Sequence, residues 1–209
     1  MMRSQSAVIV DYGMGNLWSV QTAFKHLGCE TTVSQNPDVV AAADVIVLPG
    51  VGSFSMAMQA LNDRGLSAAI VHAAKIRGVK TLGICLGLQL FAQSGEEGGE
   101  SPGLGLIPGV VSRFTASELG ARKVPHIGFN AVRYTEPGQL YAGFDEAADF
   151  YFVHSFRVLP PDSDAKLGVS DYGVPFMASY ELDNVFATQF HPEKSQTNGL
   201  RLLNNFLNA

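Results

Sequence analysis

A chain of 209 residues with 46% hydrophobic and 16% charged residues can bury a sizeable core, which argues for one domain over 1–209 and against a disordered chain. Its net charge of −5, with lysines and arginines scattered singly, provides no basic stripe, so nucleic acid and anionic membrane are set aside as partners. Two cysteines, Cys29 and Cys85, make no disulfide framework and suit a reducing cytoplasm, and the apolar run near the start is too short for a signal peptide or a membrane span.

Residues 7–10 predict a buried strand, followed by the loop Asp11-Tyr12-Gly13-Met14-Gly15-Asn16. That loop supplies two of the three glycines of a dinucleotide fingerprint, but Trp18 stands where the third is needed and its ring would block close packing on a pyrophosphate. Residues 17–27 predict a helix closed by Gly28, 31–34 a second strand, and 45–48 a third that ends at Pro49-Gly50. Helices are expected at 55–61 and 66–76, a strand at 81–84 and a helix at 86–93. Short apolar runs alternating with helix-period segments are the pattern of a parallel sheet covered by helices.

Beyond a glycine-rich loop at 95–109, which carries Glu96, Glu97 and Glu100, the texture changes. Strands are expected at 110–114, 131–134, 150–156, 166–170, 176–180 and 185–189, with hardly a helix until an amphipathic one at 199–207. The expected class is therefore α/β: a mainly parallel sheet flanked by helices, with further strands added in the second half. Open parallel sheets bind ligands at the carboxyl ends of their strands. Asp11, Pro49-Gly50 and Cys85 all fall at such ends.

Cys85 lies inside Gly83-Ile84-Cys85-Leu86-Gly87, at the change from strand to helix. An isolated cysteine in an apolar stretch is usually a small buried hydrophobe. Glycines two residues to either side reverse that expectation, because they let the backbones approach closely enough for a sharp turn that presents a nucleophile. A nucleophilic thiol needs a base, and the base needs an orienting partner. His191 and Glu193, in Gln189-Phe190-His191-Pro192-Glu193-Lys194-Ser195, can fill those roles, since Pro192 biases His191 toward an extended backbone. Acyl transfer through a thiol also calls for two backbone N–H donors facing the developing oxyanion. Leu86, next to the nucleophile, offers one, and the loop Gly50 to Gly52, centred on Val51, offers the other. His26, His72, His126 and His154 show no metal-ligand spacing, so neither metal nor cofactor is expected.

These segments together resemble the triad-type, class I glutamine amidotransferases, and the resemblance implies a flavodoxin-like, mainly parallel sheet flanked by helices with antiparallel strands added in the second half. Five motifs narrow the resemblance further: Gly103-Leu104-Gly105-Leu106-Ile107, Val124-Pro125-His126-Ile127-Gly128-Phe129-Asn130, Tyr151-Phe152-Val153-His154-Ser155-Phe156, the Asp11 loop and the Pro49 loop. They are similar to the branch of the family that works in histidine biosynthesis with a (βα)8-barrel cyclase subunit. The resemblance implies L-glutamine as substrate, a heterodimer with that cyclase, and ammonia passed between the two. It implies Cys85 as nucleophile, His191 as base and Glu193 as its partner. Gly50, Gly52, Gln89, Ser155, Phe156 and a carboxylate of the Glu96-Glu97 loop, Glu96 or its neighbour, would hold glutamine. Asn16 and Lys194 would lie at the cyclase interface. Phe129 and Phe156 depart from the family, which commonly has Trp and Tyr there.

Overall fold

The computed structural model describes residues 6–134 and 136–209. The expectation that the start is too short for a signal peptide bears partly on residues 1–5, which lie outside the described residues.

The first half runs β1 (Ser6–Val10), α1 (Leu17–His26), β2 (Glu30–Ser34), α2 (Pro37–Ala42), β3 (Val45–Gly50), α3 (Phe54–Asp63), α4 (Leu66–Lys75), β4 (Lys80–Cys85) and α5 (Leu86–Phe91). The second half runs β5 (Ser94–Gly95), β6 (Ser101–Pro102), β7 (Val110–Arg113), α6 (Ala116–Leu119), β8 (His126–Tyr134), β9 (Ala147–His154), β10 (Phe156–Val158), β11 (Lys166–Asp171), β12 (Pro175–Leu182) and β13 (Val185–Thr188). A 3₁₀ turn, Pro192–Lys194, then leads into α7 (Gln196–Asn208).

Nine strands form one sheet in the order β2-β1-β3-β4-β13-β12-β11-β8-β9. From β2 to β13 every pair is parallel, and from β13 to β9 every pair is antiparallel. The α/β class and the antiparallel addition follow the sequence expectation. A smaller sheet, β10-β7-β5-β6, stands apart.

All six residues of β3 are buried, as the continuous apolar run of a strand covered on both faces requires. Alternate side chains enter different clusters: Val45 and Val47 join α1 and α7, whereas Ile46 and Leu48 join α2, α3, α4 and α5. The sheet is thus the middle of three layers, and period-two alternation sends each strand's residues to both faces.

Several boundaries differ from expectation for local reasons. The helix α2 escaped notice although its signals are present: Asn36 accepts from the Asp38 N–H at 2.9 Å and Pro37 occupies the first turn. Thr115 and Glu118 close a capping box over the four-residue α6. The strand expected at 150–156 is two strands, because the chain leaves the large sheet at Ser155 and joins the small one at Phe156. The strand β8 starts at His126 rather than at 131, since Gly128, at φ +131, breaks the apolar alternation without ending the pairing.

The sheet order has one consequence for chemistry. β13 lies directly beside β4, parallel and in register from Thr81↔Val185 to Ile84↔Thr188. The segment after β13 therefore emerges next to Cys85, although a hundred residues separate them in the chain.

Candidate active site

Cys85 ends β4 with φ 56° and ψ −107°, a left-handed backbone rarely adopted by a residue with a side chain. The flanking glycines permit it. A Cβ on Gly83 would lie 2.8 Å from the Gly87 carbonyl carbon and oxygen, and one on Gly87 would lie 1.9 Å from the Leu48 carbonyl oxygen. The elbow read from the sequence is present, and its two glycines are required by backbone contact.

His191 and Glu193 flank Pro192 at the 3₁₀ turn, and His191 Nδ1 meets Glu193 Oε1 at 2.8 Å with both side chains almost wholly buried. Their contact fixes Nε2 as the nitrogen left for chemistry. Among the described residues, buried His191 Nε2 has no hydrogen-bond acceptor of good geometry, and the Cys85 sulfur stands close enough to bias its protonation. Burial alone would disfavour the imidazolium, but the Cys85 sulfur and the Glu193 carboxylate outweigh it and raise His191 to about 10. The three side chains proposed as a triad are therefore adjacent, with the ring held between a sulfur and a carboxylate.

A cavity of about 300 Å³ opens beside Cys85. Val51, Gly52, Leu86, Gln89, Ser155 and Phe156, all named from the sequence as site residues, line it. Two of the named positions are placed apart from these. Glu97, not Glu96, lines the cavity, and its Oε2 accepts the Phe54 N–H at 3.0 Å, which turns the carboxylate inward from its loop. Gly50 does not line it: a Cβ there would fall 2.0 Å from Tyr12 Oη and 3.1 Å from Leu86 Cβ, so this glycine serves the close packing behind the loop. A larger open hollow of about 1180 Å³ beside Arg133 and Phe144 shares no lining residue with the cavity at Cys85.

Asn16 and Lys194 are both exposed. Asn16 caps α1 by accepting the Ser19 N–H at 3.4 Å, and Lys194 ends the 3₁₀ turn that begins at Pro192.

Sequence reasoning missed several neighbours of the sulfur. Cys85 Sγ donates to the Val153 carbonyl at 3.9 Å and accepts from Gln189 Nε2 at 3.8 Å. Gln189 was legible only as part of the motif that contains His191. His126 and His154, separately unremarkable by spacing, meet at 3.0 Å between Nδ1 and Nε2, and His154 Nδ1 contacts the Phe156 carbonyl at 2.8 Å. A carbonyl can only accept, so His154 Nδ1 carries the proton and its Nε2 receives one from His126 Nδ1. Burial holds both rings neutral, with His126 lowered to about 4 and His154 to about 3.

Residues 8–209 match the family described as "Glutamine amidotransferase class-I". The chain is 48% identical over 198 residues to the imidazole glycerol phosphate synthase subunit HisH of Moorella thermoacetica, covering 95% of this chain and 92% of that protein. It is 43% identical over 200 residues to the HisH subunit of Acinetobacter baylyi, covering 95% and 96% respectively. Among solved structures, PurLQS from Thermotoga maritima superposes with a TM-score of 0.71 at 20% identity over 98% of both chains. A crystal structure of a glutamine amidotransferase gives 0.74 at 19% identity over 96% of this chain and 97% of that one. At such identities these two structures speak to the fold, while the sequence matches speak to descent. The chain belongs to the class-I glutamine amidotransferase family.

Proposed function

We propose that this chain is the glutaminase subunit of a cytoplasmic imidazole glycerol phosphate synthase, hydrolysing L-glutamine and handing ammonia to a (βα)8-barrel cyclase subunit that makes imidazole glycerol phosphate and aminoimidazole carboxamide ribotide. The observation that carries the reading is the adjacency of Cys85, His191 and Glu193 at one end of the sheet, in a chain 48% identical to curated HisH subunits.

The Cys85 thiolate attacks the side-chain carbonyl carbon of glutamine, and the carbonyl electron pair moves onto oxygen. The N–H of Leu86 and the N–H of Val51 stabilise that oxyanion. The C–N bond then breaks as His191 gives its Nε2 proton to the leaving nitrogen, releasing ammonia and leaving a thioester. His191 next takes a proton from water, whose oxygen attacks the thioester to yield glutamate and restore Cys85. Glu193 holds the ring in the tautomer these transfers need. Gly52, Gln89, Glu97 and the backbone at Ser155 and Phe156 hold the substrate, with the Glu97 carboxylate facing its α-ammonium group.

The partner surface is read on the same side. Ile127 and Phe129 are large, apolar and 60% and 51% exposed, and Ile127 pairs across the sheet with Val153, which lines the cavity. Together with Asn16 and Lys194 they form the face offered to the cyclase. The loop of Gly50 to Gly52 is the switch, because turning one peptide removes a donor worth roughly 10²–10³ in rate.

The test is turnover of the reconstituted synthase on glutamine and on ammonium salt, with wild type and Cys85→Ala. The variant should lose the glutamine-dependent reaction alone. A variant that retains it would overturn the reading.

A further inference from the structure

Gln189 is completely buried between the nucleophile and the cavity wall. Three hydrogen bonds run in series: Gln89 Nε2 donates to the Phe156 carbonyl at 3.1 Å, Gln89 Nε2 also donates to Gln189 Oε1 at 3.0 Å, and Gln189 Nε2 donates to Cys85 Sγ at 3.8 Å. Carboxamide oxygen and nitrogen are ordinarily hard to tell apart, but here the polarity is forced. The Phe156 carbonyl can only accept, so Gln89 must present its NH₂ group to it. That NH₂ group has two hydrogens, and the second meets Gln189, which must answer with oxygen. Gln189 is then left with its NH₂ group toward the sulfur. Reversing it would set two NH₂ groups against each other in a dry interior, a loss on the scale of an unmade buried hydrogen bond.

We propose that Gln189 is a positioning residue for the nucleophile: its side-chain N–H holds the ionised Cys85 sulfur in place, and the Gln89–Phe156 contact fixes the direction of that N–H. The inference rests on the glutaminase reading of Cys85.

A neutral thiol can donate to Val153 and gains little from the amide, because sulfur is a weak acceptor. Ionisation reverses this. The Val153 carbonyl then repels the sulfur, while a donor to the charged form becomes a charge-assisted bond and favours ionisation. His191 supplies charge from one side and Gln189 an uncharged donor from another, so the sulfur is restrained by two groups while it waits for substrate. The same chain reaches the substrate pocket. Both hydrogens of Gln89 are committed within the protein, so its Oε1 is the atom left to accept from a ligand. A substrate that pulls on Gln89 therefore acts on the donor at Cys85 through one intervening amide.

The experiment follows Cys85 alkylation by iodoacetamide against pH in the full chain, together with glutaminase kinetics of the chain bound to its cyclase. Gln189→Met, close in size and uncharged, should raise the alkylation midpoint by about one pH unit, slow alkylation about tenfold below that midpoint, and lower kcat more than it raises KM. A folded Gln189→Met variant with the wild-type pH profile overturns the proposal. A measurement without substitution at Gln189 covers the case in which the variant does not fold. In the wild-type chain the ¹⁵N side-chain signal of Gln189 should move with the same midpoint as alkylation, and in Cys85→Ala it should not move. A signal that stays fixed across the alkylation midpoint overturns the proposal. An active wild type with either negative result sinks this inference alone, whereas a wild type without glutaminase activity beside a competent cyclase sinks the glutaminase reading.

Discussion

His191 and Glu193 are two residues apart yet meet at 2.8 Å, because Pro192 opens a 3₁₀ turn that brings the imidazole back over the carboxylate. With Nδ1 held by the acid, Nε2 is the only ring nitrogen free to exchange protons with Cys85 and substrate. Glu193→Gln keeps the shape but replaces the ionised acceptor by an amide. Glutamine turnover should fall by roughly 10²–10⁴ with little change in KM, the scale found when a triad acid is neutralised. Steady-state kinetics of the reconstituted complex will show it, and a variant within about threefold of wild type would remove Glu193 from the mechanism.

The raised affinity of His191 for a proton has its largest favourable source in the Cys85 sulfur, working against burial. Cys85→Ala removes that source and leaves the desolvation in place. His191 should then titrate well below its wild-type midpoint of about 10, as followed by side-chain NMR. The sign extends to stability. A histidine raised above its unfolded value of about 6.5 stabilises fully below that pH and loses its contribution as pH rises toward 10, so the alkaline decline between them should shrink in the alanine variant.

His126 and His154 carry the opposite sign. Their folded values lie at about 4 and about 3, below the unfolded value of about 6.5, because burial disfavours the charged ring. The unfolded chain therefore binds more protons in that interval. Stability should fall as pH drops below about 6.5, by up to about 1.4 kcal/mol per pH unit for each ring. Urea denaturation at a series of pH values tests this, and His154→Gln should flatten the acid limb. An acid limb of equal slope in that variant would contradict the assignment.

Glu97 and Glu96 are neighbours with different surroundings, and only Glu97 lines the cavity. Glu97→Gln should raise the KM for glutamine by roughly tenfold or more, whereas Glu96→Gln should leave it nearly unchanged. The reverse order would return the substrate contact to Glu96.

The glycine frame of the elbow predicts a stability effect. Gly87→Ala places a Cβ 1.9 Å from the Leu48 carbonyl oxygen, a backbone atom that cannot swing aside. The cost should be about 3 kcal/mol or more, a Tm drop on the order of 6–12 °C for a domain of this size, read by calorimetry. An unaltered Tm would mean that β3 and α5 separate more easily than their packing implies.

The sequence alone determined what depends on neighbours along the chain. The parallel half was visible in the alternation of apolar runs such as 45–48 with helix-period segments, and the elbow in Gly83, Cys85 and Gly87, because turn geometry is a short-range matter. The short elements α2 and α6 were missed, since two helical turns or fewer leave almost no periodic signal despite their caps at Asn36 and Thr115. Only the tertiary structure decided what depends on strand order. Pairing β13 against β4 set His191 beside Cys85, folding the Phe54 N–H onto the Glu96-Glu97 loop turned Glu97 into the cavity, and pairing β8 with β9 joined His126 to His154. Residue spacing cannot encode such contacts, because each closes between segments tens to a hundred residues apart, by backbone ladders or by a side chain reaching a distant N–H, where local propensity has no reach.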